Sequence, residues 1–88
     1  MSIHNLVKMA NDIGRFFASE PKRADAVAGI ANHMQRSWDP RMLRQIVAHL
    51  HNGGEGLDDM PREAVGTLKV APVDARYAGS IAAGGGSH

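Results

Sequence analysis

SWDPRMLRQIVAHLHNGG, residues Ser37 to Gly54, contains a short helix together with its start and stop signals. Asp39 suits the N-cap, where a short acceptor side chain satisfies a free backbone N–H. Pro40 follows at the first helical position, where no N–H is needed. Leu43, Ile46, Val47 and Leu50 recur at helical spacing and predict the buried side. Arg41, Arg44, Gln45 and Ala48 fall on the outer side. Asn52-Gly53-Gly54 predicts the stop, because glycine readily takes the left-handed conformation past a helix C-terminus. The spacing therefore predicts a helix over Pro40–His51.

On the N-terminal side, Ile3 to Ala18 shows the same periodicity, with Ile3, Leu6, Val7, Ala10, Ile13 and Phe17 on one face. Met9 and Phe16 fall at its edge. Lys8–Asp12 and Asp12–Arg15 are expected surface pairs, each adding ~0.2–0.5 kcal/mol. A second helix is expected from Pro21, capped by Ser19 or Glu20. Its expected inner stripe is Ala24, Val27, Ala28, Ala31 and Met34. Ala26, Gly29, Ile30 and His33 then fall on the outer side, and Ala26 and Ile30, with Met42 of the third helix, would offer apolar surface to a stable partner. Gly29 costs about 1 kcal/mol relative to alanine in a helix interior. The close approach of another chain is one compensation.

On the C-terminal side, Glu55-Gly56-Leu57 leads into a short fourth helix, expected over Asp58–Lys69, with Pro61 in its first turn. The expected domain is therefore residues 1–69, an all-α bundle of about four short helices. Residues 70–88 carry no amphipathic period and are expected to be a flexible tail. The end of that tail, Gly84-Gly85-Gly86-Ser87-His88, resembles an artificial linker.

Composition narrows the chemistry. The 88-residue chain has no cysteine, which excludes disulfides, thiolate metal sites and a cysteine nucleophile. Net charge is +1, with 22% charged residues, so there is no strongly basic footprint for nucleic acid. No apolar run is long enough to span a bilayer. MSIHNLVKMAND lacks the apolar core of a secretory signal, so a cytoplasmic location is expected.

No catalytic pattern emerges. His49 and His51 are two residues apart, about 200° around a helix, and cannot chelate one metal from it. His4 and His33 could join them only through tertiary contact. No serine stands in a nucleophile elbow, and Gly53-Gly54-Glu55-Gly56 lacks the frame of a phosphate loop. The densest constellation is Arg36-Ser37-Trp38-Asp39-Pro40-Arg41-Met42, with Arg44 one turn on. A tryptophan among three arginines has the composition of an interface hot spot. It equally fits a core tryptophan at a helix corner ringed by solvated arginines. Helices two and three also mimic a helix-turn-helix, with Arg41, Arg44, Gln45 and Ala48 outward. A small DNA-binding regulator is the alternative function, although the carboxylates at Glu55, Asp58, Asp59 and Glu63 count against it.

Four strings, in order, resemble one family: His4-Asn5-Leu6-Val7-Lys8-Met9-Ala10-Asn11-Asp12-Ile13, Ala26-Val27-Ala28-Gly29-Ile30-Ala31-Asn32-His33, Trp38-Asp39-Pro40-Arg41-Met42 and Gly53-Gly54-Glu55-Gly56-Leu57. The family is the delta subunit of cytosolic NAD-dependent formate dehydrogenases, and the likeness covers about residues 3–69. It implies a small accessory subunit of a soluble complex that oxidises formate to carbon dioxide and reduces NAD. The resemblance places molybdenum or tungsten, in a bis-pterin guanine dinucleotide cofactor (bis-MGD), and most iron–sulfur clusters in the large alpha subunit. It places FMN and the NAD site in the beta subunit, with a gamma subunit in the same complex. It assigns the delta subunit no redox centre, only a role in assembly, cofactor insertion or stability. Docking on the alpha subunit is expected through Trp38, Arg41 and Arg44, with Gly29, His33 and Arg36 beside them.

Overall fold

The computed structural model describes residues 2–70 and consists there of four helices: α1 (Ile3–Phe17), α2 (Arg23–Ser37), α3 (Pro40–His51) and α4 (Asp59–Gly66). Of the expected tail, 70–88, all but Val70 lies outside the described residues. Val70 itself packs against the core.

α1 begins where Ser2 Oγ accepts the Asn5 N–H at 3.2 Å. α1 and α2 form an antiparallel hairpin. Descending α1 through Phe17, Gly14 and Ile13 meets ascending α2 at Gly29, Ile30 and His33. α3 has the bounds the sequence predicts. The Asp39 carboxylate accepts the Met42 N–H at 3.0 Å, with Pro40 inside the first turn. Gly53 and Gly54, both at positive φ, close its end by donating to Leu50 O at 3.0 Å and His49 O at 2.9 Å. This is the Schellman arrangement.

α4 lies across α1, α2 and α3 and closes the bundle. Leu6, Ile30, Met34, Ile46, Val65 and Pro61 are the largest fully buried side chains. Each large aliphatic among them contributes ~1.5–3 kcal/mol by leaving water. Gly14 is buried against the Pro61 ring, a close approach that periodicity alone does not reveal.

The loop from α3 to α4 is held from three helices. Asn11 on α1 donates to Gly56 O at 2.9 Å and accepts the Asp58 N–H at 2.9 Å. His49 on α3 donates through Nε2 to Glu55 O at 2.8 Å. Arg62 on α4 donates to Gly53 O and Gly54 O at 3.1 and 2.9 Å.

Several expectations are corrected. α2 begins at Arg23 with Lys22 at the N-cap, not at Pro21 with Ser19 or Glu20. Lys22 is still extended, at φ −106° and ψ 126°. Its carbonyl receives the first helical bonds from Asp25 and Ala26. The buried face of α2 is Ala26, Val27, Ile30 and Met34, whereas Ala24 and Ala28 are exposed and Ala31 is half-buried. The face is turned about 80° from the expected stripe at about 100° per residue. Ile30 and Met34 gain far more from burial than alanines do, so they set the orientation. Ala26 and Ile30 are therefore core residues, and Met42 is half-buried against the core. α4 ends at Gly66 rather than Lys69, because the Gln35 amide takes both Lys69 backbone groups at 3.0 Å and draws the chain off the helix. Asp12 pairs with Arg15, and no Lys8–Asp12 bridge forms. Asp58, 3.9 Å from the Arg15 guanidinium, holds that arginine on the same side.

Candidate docking surface

Trp38 closes the corner between α2 and α3. Its backbone N–H donates to Met34 O at 2.9 Å, and its side chain belongs to the core cluster that also holds Met34 and Leu43, leaving the residue 6% exposed. A tryptophan this deep has little surface to give a partner. The core reading of the corner therefore describes Trp38 in this chain, and what it could offer a partner is the exposed edge alone.

The arginines around it stand differently. Arg36 and Arg41 are exposed and Arg44 is half-buried. None of the three makes an ion pair or hydrogen bond among the described residues. The other described arginines are all engaged: Arg15 with Asp12 and Asp58, Arg23 with Glu63 at 3.0 Å, and Arg62 with the loop carbonyls. The one carboxylate at the corner, Asp39, caps α3. Three uncommitted guanidiniums at one end of the bundle can take carboxylates in paired, two-bond geometry.

Gly29 and His33 lie on the edge of α2 that faces α1. Gly29 is covered by its own chain: a Cβ there would stand 2.5 Å from Phe17 Cε1. Phe17, not another chain, is what the missing side chain admits. His33 is half-buried, without a hydrogen bond among the described residues, and lines a shallow depression with Asp12, Ile13, Phe16 and Phe17. On α2, Gly29, His33 and Arg36 share one side within about 60°.

Phe16 is the residue that sequence reading undervalues. It is 77% exposed, the one large apolar side chain so exposed among the described residues. Its ring stands edge-on to Phe17, with centroids 5.1 Å apart and planes at 85°. The signal was present in the chain. Adjacent aromatics on a helix point about 100° apart, so both cannot enter one narrow core face.

The chain has no thiolate to ligate a cluster. Among the described residues, no group of three or more histidines and carboxylates stands together to hold a metal ion. No helix among them is long and apolar enough to cross a membrane.

Residues 5–65 match the model of the NADH-dependent formate dehydrogenase delta subunit family, FdsD. The chain belongs to this family. The matched span starts in α1 and ends in α4, so the delta-subunit pattern contains Phe16, the α2–α3 corner and the pinned loop. A delta subunit is by definition part of a formate dehydrogenase complex, and partner subunits are implied for this chain. No curated protein and no solved structure matches it.

Proposed function

We propose that this delta subunit is a non-catalytic, cytoplasmic accessory subunit that docks on the large alpha subunit and supports its assembly, cofactor insertion or stability. The observation that carries this reading is the set of three uncommitted arginines at the α2–α3 corner, in a chain that belongs to a subunit family. In water such cations gain little from one another. Against a partner's carboxylates they form charge-assisted, two-pronged hydrogen bonds. The molybdenum or tungsten bis-MGD and iron–sulfur clusters then belong to the alpha subunit and FMN to the beta subunit, with gamma in the same assembly. The absence of cysteine supports leaving cluster ligation to those chains.

The test is co-expression with the alpha, beta and gamma subunits, followed by size exclusion at moderate and high salt. Metal content and formate-dependent NAD reduction are measured with and without this chain. Co-elution together with lower activity or metal content in its absence is the expected result. Lower metal content without co-elution identifies a maturation factor that leaves the complex. No co-elution and no change in loading or activity overturns the proposal. Steeply salt-dependent binding to duplex DNA instead would restore the regulator alternative.

A further inference from the structure

Resting on the docking role proposed above, we infer that Phe16 is the anchor of the interface, and that it enters an apolar socket on the large subunit bordered by carboxylates.

Phe16 is exposed where every other large apolar side chain among the described residues is buried or half-buried. An aromatic ring offers a large contact area with only two torsions to freeze. Here even that freedom is restricted. Phe17 stands edge-on against Phe16, and Phe17 is itself seated on the bare α-carbon of Gly29. The Gly29–Phe17–Phe16 stack thus presents the outer ring from a supported base.

The surroundings specify the partner's chemistry. The depression beside Phe16 is lined by Ile13 and Phe17, so the surface around the ring is apolar and is matched by an apolar socket on the partner. Asp12, its one carboxylate, is neutralised by Arg15. His33 lines the same depression and has no hydrogen-bond partner among the described residues. Arg36 lies one turn further along α2, about 10 Å from the level of Gly29 at 1.5 Å per residue, and is also uncommitted. What remains unsatisfied around the ring is therefore the imidazole of His33, which has a ring N–H to donate, and the guanidinium of Arg36. A carboxylate accepts from either. The line from Phe16 through His33 to Arg36 runs along one side of α2 toward the α2–α3 corner, so an exposed apolar ring is followed by an uncommitted cation, the pairing of apolar anchor and polar neighbour found at binding hot spots.

The test uses the full chain co-expressed with its partner subunits. Phe16→Ser, Phe16→Leu and Arg36→Glu are compared with the wild-type chain for co-elution at high salt and for affinity by titration. Phe16→Ser is expected to weaken binding about 30-fold or more, the hot-spot threshold. Phe16→Leu should retain most of the affinity, and Arg36→Glu should weaken it most at low salt. Thermal unfolding of each full-length variant should match wild type, since neither side chain is in the core. If the wild-type chain co-elutes and Phe16→Ser binds equally well, the inference is overturned while the docking role stands. If wild type does not co-elute, there is no stable interface for Phe16 to anchor and the inference fails, while metal loading and activity decide separately whether the docking role falls with it. A wild-type homodimer that Phe16→Ser converts to monomer, with docking unchanged, assigns the ring to self-association and overturns the inference.

Discussion

Gly14 carries the ring of Pro61 directly on its α-carbon: a Cβ added at Gly14 would lie 2.6 Å from Pro61 Cγ and 3.0 Å from Cδ. This contact seats the first turn of α4 on α1. Gly14→Ala gains about 1 kcal/mol of helix propensity but forces a closed ring and its backbone away, at about 1–3 kcal/mol. A net loss is expected, lowering the Tm by several degrees for a domain of this size. Chemical and thermal denaturation of the variant check it, and an unchanged or raised Tm would show that α4 is free to shift.

Gly29→Ala should behave differently. The obstacle there is the Phe17 side chain, half-buried and able to swing outward. Stability is expected to stay within about 1 kcal/mol of wild type, the propensity gain offsetting the lost contact. The displaced Phe17 no longer supports Phe16, so affinity for the large subunit should fall while the Tm holds. A structure of the variant with Phe17 in place would refute the mechanism.

Trp38→Ala should destabilise the whole bundle by about 3–5 kcal/mol, as large-to-small changes of buried aromatics do. Circular dichroism and urea titration measure it. Loss of co-purification in this variant therefore reports unfolding rather than a lost contact, and corner binding has to be tested through the arginines.

Arg41→Ala should leave stability within about 0.5 kcal/mol, as exposed substitutions usually do, and Arg44→Ala should cost up to about 1 kcal/mol because its half-buried stem loses packing. Neither side chain has a partner among the described residues to lose. If the corner docks, the double variant should dissociate from the complex at lower salt than wild type in size exclusion. Equal retention at every salt concentration would remove the corner from the interface.

Asn11→Ala removes both hydrogen bonds that tie α1 to the Gly56–Asp58 segment. The expected cost is about 1–2 kcal/mol at ordinary net hydrogen-bond values. Amide hydrogen exchange should accelerate locally at Asp58, whose N–H loses its acceptor. Unchanged exchange there would mean that His49 and Arg62 hold the loop unaided.

The sequence by itself determined the all-α class, α3 to the residue and α1 to within one residue at its end. These features rest on signals that act within a turn of the chain: Asp39 reaching the Met42 N–H, Pro40 without a donor, and Gly53 and Gly54 free to take positive φ. The strings that carry the family likeness are likewise legible without coordinates. Only the tertiary structure decided which way α2 faces, because alanine and glycine surround much of that helix and leave Ile30 and Met34 to choose between neighbours. It decided that Trp38 is inside and Phe16 outside, since a corner tryptophan and an aromatic at the edge of a stripe can each face either way until the helices pack and Gly29 seats Phe17. It also decided which arginines are committed. Asp12–Arg15 is legible as a local i, i+3 pair, but Glu63 reaches Arg23 from another helix across forty residues, and no local pattern carries that second pairing.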